Sequence, residues 1–259
     1  MRRALCAGFV AAQALAGAAQ ADAFFTLDGH GGPVMAIATG ADGSVATASF
    51  DNAVGLWQAD APRWFDGHDA AVGTVAFVGR DALLSGSDDF TVRLWSRETG
   101  EGRVLHRHDG KVADVAVAPD RRTAASAAWD GTAALIDLAS GSVRVLRGHE
   151  AQVNAVAFAP DGATLYTASA DGTIRTWDVA EAAPRRVIVR HGFGLNEIAL
   201  AADGAWLAYG AVDGATRVID PADGTALADF TLDRRPILAM AHSAPAARLA
   251  VGDGEGYIM

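Results

Sequence analysis

Residues 147–178 read "RGHEAQVNAVAFAPDGATLYTASADGTIRTWD". Two alternating apolar runs, VNAVAF and ATLYTASA, lie on either side of the turn sequence APDG, and a third run follows Asp171 and Gly172. Period-two patterning bounded by Gly, Asp and Pro predicts short antiparallel strands joined by hairpins. The stretch is one copy of a repeat. Its "DGTIRTW" (171–177) recurs as "DNAVGLW" (51–57), "DFTVRLW" (89–95), "DGTAALI" (130–136), "DGATRVI" (213–219) and "DGEGYIM" (253–259). The leading aspartates, Asp51, Asp89, Asp130, Asp171, Asp213 and Asp253, are 38, 41, 41, 42 and 40 residues apart. A histidine precedes each of the first five: His30, His68, His108, His149 and His191.

The Gly-His pair, the Pro-Asp-Gly turn, the Ser-x-Asp-Gly and the closing Trp-Asp of residues 147–178 resemble the WD-repeat family, and the resemblance extends over residues 24–259. It implies an all-β fold, a β-propeller of six recognisable repeats of about 40 residues. One blade cannot bury both of its faces alone, which is why the copies are multiple. The resemblance also places the strand before each Gly-His in the preceding blade, so "FFTL" (24–27) is expected to pair with the last blade. The chain reaches Met259 in the slot held elsewhere by Trp57, Trp95 and Trp177. We therefore expect an incomplete last blade and a parent ring of seven.

Ser49, Asp51 and His30 lie close together in sequence and by themselves suggest hydrolase chemistry. The same set returns as His68, Ser87, Asp89 and Trp95, and again as His149, Ser169, Asp171 and Trp177. An active site is built once, whereas these positions recur blade after blade. The family resemblance implies that His30, Ser49, Asp51 and Trp57 and their counterparts form a buried hydrogen-bond chain, a structural staple. Leaving such groups unpaired would cost about 1–3 kcal/mol each. Ala128 and Ala211 replace the serine in the third and fifth copies, Ile136 and Ile219 the tryptophan, and Asp233 the histidine of the sixth. Those blades are expected to depend more on packing.

The first 23 residues read as a signal peptide. Arg2 and Arg3 give a positive start, an apolar small-residue run follows, and "ADA" (21–23) predicts cleavage after Ala23. Export to the periplasm or beyond is the expectation, with no membrane span left after cleavage. Cys6, the only cysteine, lies in that segment, so the cleaved chain has no disulfide and no thiolate ligand. A net charge of −10 argues against nucleic acid as a partner. No metalloprotease, phosphate-loop or nucleophile-elbow motif is present, and no metal site or cofactor is predicted.

In WD-repeat proteins contacts gather just before the turn aspartate and around the start of the innermost strand. Carried over, the first set is Phe50, Asp88, Trp129, Ala170, Val212 and Gly252. The second is Met35, Lys111, Gln152, Asn154 and Asn196. Phe50 and Trp129 draw attention because large aromatics on a turn rim suit an interface centre, the alternative being a cap over the neighbouring blade. The interaction face expected is Phe50, Asp88, Trp129, Met35, Lys111, Gln152, Asn154 and Asn196. "RHGFGLN" (190–196), "YGAVDGATRVID" (209–220) and "DRRPILAMA" (233–241) resemble a group of bacterial exported WD-repeat proteins that often carry a C-terminal c-type cytochrome domain. That implies a non-enzymatic platform for a protein partner, with a redox protein as a candidate. The chain has no C-x-x-C-H, so haem c would belong to a domain beyond it. The rival expectation is an enzyme, or a sensor of a small ligand or peptide, with its site at the mouth of the central channel.

Overall fold

Each repeat places two apolar runs before its aspartate and one or two after it, enough for a four-stranded meander. The computed structural model describes residues 27–58, 61–231, 235–243 and 248–259. The first sheet is β1 (Val34–Thr39), β2 (Val45–Ser49), β3 (Val54–Gln58) and β4 (Ala61–Phe65), paired in that order. The second is β5 (Val72–Val78), β6 (Ala82–Ser87), β7 (Thr91–Ser96) and β8 (Gly102–Arg107), and the third is β9 (Val112–Val117), β10 (Thr123–Ala128), β11 (Ala133–Asp137) and β12 (Val143–Leu146). The fourth is β13 (Val153–Phe158), β14 (Thr164–Ser169), β15 (Thr173–Asp178) and β16 (Ala183–Arg190). The fifth is β17 (Leu195–Leu200), β18 (Leu207–Ala211), β19 (Ala215–Ile219) and β20 (Ala226–Thr231). A hairpin of β21 (Ile237–Ser243) and β22 (Arg248–Asp253) begins a sixth, and Met259 returns along β22 through paired backbone bonds of 2.9 Å with Val251. All pairings are antiparallel. The architecture is an all-β propeller of about six blades. Residues 1–23 and 24–26 lie outside the described residues, and Leu27 belongs to no strand.

The first strand of each blade touches the first strand of the next, from β1 through β5, β9, β13 and β17 to β21, so these strands line the axis. Each carries a register shift at the same place, between Val34 and Ala36, Val72 and Thr74, Val112 and Asp114, Val153 and Ala155, Leu195 and Glu197, and Ile237 and Ala239. A bulge repeated at one level adds local twist to every inner strand.

Core clusters form between blades. Trp95 of the second blade packs against Ala46, Ala48, Val54, Leu56 and Phe65 of the first. Trp177 of the fourth packs against Ala125, Ala127, Leu135 and Leu146 of the third. The alanines on β2 and β10 make room for the indole across the seam, and burying a large apolar side chain contributes about 1.5–3 kcal/mol. The outer strands add a second tie. Arg63, Arg103 and Arg144 hold equivalent places on β4, β8 and β12 and donate to backbone carbonyls of the next blade, at Arg97 and Glu98, at Leu138, and at Val179 and Ala180. The first blade differs on its leading face. Val34 is 43% exposed where its counterparts Val72 and Val153 are fully covered, because none of the described residues forms a blade in front of β1.

Candidate interaction rim

In blade 1, His30 Nδ1 lies 2.8 Å from Asp51 Oδ2, and its Nε2 lies 2.7 Å from the hydroxyl of Thr47. The Trp57 indole N–H donates to the same hydroxyl at 2.9 Å. Blade 2 repeats this with His68, Asp89, Ser85 and Trp95, and blade 4 with His149, Asp171, Thr167 and Trp177. With Nδ1 donating to the carboxylate, Nε2 accepts from the hydroxyl, and every polar atom of the relay is used.

The relay corrects the expectation for the serines. The hydroxyl that joins histidine to indole sits two residues before Ser49, Ser87 and Ser169. A two-residue step keeps the same face of the strand but moves deeper into the sheet, where the indole lies. The serines shape the turn: each accepts the backbone N–H of Asp51, Asp89 or Asp171 and donates to the carbonyl of Gly32, Ala70 or Ala151. Blade 3 therefore loses less than Ala128 suggested, because His108 Nε2 still reaches Ser126 at 2.8 Å and only the indole is missing. Blade 5 loses more. Tyr209 stands where the hydroxyl residue would be, and His191 meets Asp213 at 3.2–3.3 Å. Asp233 lies outside the described residues.

Burial pushes Asp89 and Asp171 up, but hydrogen bonds from Thr91 and Thr173, the histidines and backbone N–H groups outweigh it and hold both carboxyls at about 2. Burial drives His68, His108 and His149 down despite their aspartates, which favours the neutral imidazole. Ser49 does not touch His30, so the Ser–His–Asp set is not a nucleophilic triad. Among the described residues no group of three His, Cys, Asp or Glu side chains could hold a metal ion, and no helix is long and apolar enough to cross a membrane.

The turns that carry the relay aspartates form a rim on one face. The residue before each aspartate is pinned by its N–H to the residue leading into the inner strand: Phe50 to Pro33, Asp88 to Ala71, Trp129 to Lys111, Ala170 to Gln152 and Val212 to Gly194. Phe50 and Trp129 are about half exposed, at 52% and 48%. Lys111 Nζ sits 3.7 Å from the Trp129 ring centroid, and Asp88 lies 3.9 Å behind it, so three of the expected residues form one stack across blades 2 and 3. Gln152 is exposed beside the Ala170 turn.

Asn154 and Asn196 do not join this rim. Asn154 donates its amide to Leu195 O at 2.8 Å, and Asn196 donates to Ile237 O at 2.9 Å. Both side chains tie inner strands together and are not free for a partner. Met35, 51% exposed, holds on β1 the bulge position that Asn154 and Asn196 hold on β13 and β17. Phe90, outside the expected set, does belong to the rim: it is 41% exposed and has a φ of 74°. Gly131, Gly172 and Gly214 occupy that turn position in blades 3–5 with φ of 78–87°. A phenylalanine held in the left-handed region is strained. The sequence signal was present: "DF" stands where four repeats have "DG". Phe50, Phe90 and Trp129 thus give three successive blades an exposed aromatic on the same turn.

No curated protein matches the chain. The model of the WD domain, G-beta repeat family matches residues 22–58, 62–96, 101–137 and 140–178, more than half of the sequence. Those four matches hold the blades in which the histidine, aspartate and hydroxyl relay is intact, three of them with the indole. The unmatched fifth blade is the one in which Tyr209 and Ile219 replace the hydroxyl and the indole. The chain belongs to the WD40 family of repeat propellers, whose members typically serve as protein-interaction platforms.

Proposed function

We propose that this chain is a non-enzymatic, exported platform that docks a protein partner across the rim of blades 1–3, and that the partner is a periplasmic redox protein. The observation that carries the docking is the Asp88–Lys111–Trp129 stack beside Phe50 and Phe90. An exposed indole held in place by a cation loses little freedom on binding, and aromatic anchors of this kind dominate interface energetics. Export is supported by the signal-like first 23 residues. The redox partner is supported by the likeness of residues 190–241 to exported proteins joined to cytochrome domains.

The test is the double substitution Phe50→Ala, Trp129→Ala in the chain used as bait against a periplasmic extract. Capture should be lost while the melting temperature stays nearly unchanged. A large loss of stability with capture intact would make the aromatics caps over neighbouring blades. The captured fraction should show c-type haem absorbance if the partner is a cytochrome; a haem-free partner keeps the platform and removes the redox reading.

A further inference from the structure

His106 is one of two histidines outside the repeat, and its ring meets that of His108 edge-on, with centroids 4.5 Å apart and planes at 75°. It lies beside the relay of a blade that has no indole. In blades 1, 2 and 4 the tryptophan lies against a glycine before the histidine, and a Cβ added at Gly67 would meet Trp95 at 3.3 Å. In blade 3 the residues are Ile136 and Arg107, and a small cavity opens among His106, Arg107, His108, Asp109, Asp130 and Arg147.

The charged groups facing His106 come from each element around it. Arg107 follows it at the end of β8 and donates to Asp89 O at 2.9 Å, and Arg147 follows β12. Asp130, on the turn, is saturated by His108, by the Asp109 N–H, and by the N–H and hydroxyl of Thr132. His108 has both ring nitrogens engaged. That leaves the exposed Asp109 carboxylate, which lines the same cavity and has no hydrogen-bond or ion-pair partner among the described residues, as the free acceptor for His106.

We propose that His106 is an acid sensor for the rim: once protonated it captures the Asp109 carboxylate, and the shift of residues 108–111 unstacks Lys111 from Trp129. The segment has little slack. Lys111 O accepts the Trp129 N–H at 3.0 Å, and a Cβ on Gly110 would meet the Asp130 nitrogen at 2.7 Å. A displacement at Asp109 is therefore passed to Lys111 two residues on. Burial and the neighbouring His108 hold His106 below the ordinary imidazole range, so the ring is neutral near pH 7 and charges on acidification. The biological consequence, weaker partner docking in acid, rests on the docking role proposed above.

The experiment needs no partner. The chain is labelled with 5-fluorotryptophan, the Trp129 signal is identified by its loss in Trp129→Phe, and the sample is titrated between pH 8 and pH 5 while the imidazole signals are followed. The Trp129 signal should move with the midpoint of His106. In Asp109→Asn, which keeps the backbone N–H to Asp130, His106 should still titrate and the Trp129 shift should be lost. A Trp129 signal that stays fixed in the parent, or moves equally in Asp109→Asn, overturns the proposal. Capture retained by Phe50→Ala, Trp129→Ala, the result that would sink the docking role, is read in a separate assay, so either reading can fall alone.

Discussion

Blades 4 and 5 share four strands in the same order and fill the space behind the histidine in opposite ways. In blade 4 the Thr167 hydroxyl joins His149 to Trp177 in a satisfied polar chain under the turn. In blade 5 Tyr209, 2% exposed, takes the hydroxyl position, Ile219 takes the indole position, and His191 rests edge-on against the Tyr209 ring at 5.9 Å. The same backbone register is thus held once by hydrogen bonds and once by apolar volume. The propeller needs each wedge filled, not one particular set of residues.

That contrast can be broken from either side. The largest effect is expected for Tyr209→Ala, which empties the centre of the cluster shared by blades 4 and 5 and should cost about 3–5 kcal/mol in urea unfolding. A loss well below that would mean that blade 5 is not held by volume. Next comes Thr167→Val, which keeps the shape but strands both the Trp177 indole N–H and His149 Nε2, at about 2–4 kcal/mol. Ser169→Ala, at the position that only shapes the turn, should cost about 1 kcal/mol. If the two substitutions cost the same, the relay does not run through Thr167.

The smallest effect lies at the axis and has the opposite sign. Burial raises Asp114 on β9 to about 6, and burial together with Asp114 raises Glu197 on β17 well above its ordinary value. A carboxyl whose folded pKa lies above its unfolded one stabilises the fold fully only below the unfolded value. That contribution is lost as the pH rises through the folded one. Glu197→Gln should therefore be the more stable protein at pH 8, by about 1 kcal/mol, with the difference vanishing near pH 4. An unchanged midpoint at pH 8 would mean that Glu197 is not held against its charge.

Much of this was legible in the repeat. The relay histidines and aspartates, the strand pattern and the exposed Phe50 and Trp129 follow from positions that recur in phase. What misled was the serine. Thr47 and Ser49 lie on one face of the same strand, both carry hydroxyls, and "TAS" does not say which is nearer the indole. Asn154 and Asn196 misled for a related reason: an amide beside a bulge can face solvent or a neighbouring carbonyl, and only the next blade decides.

The sequence by itself determined the number and phase of the copies, because hydrophobic period and turn chemistry are local properties. It also marked the blades that lack an indole. Which hydroxyl closes the relay, how Lys111 joins Asp88 to Trp129, and that His106 meets His108 came only from the packed sheets. Each of these is a contact between residues of different strands or blades, set by how the sheets pack and invisible to any local pattern.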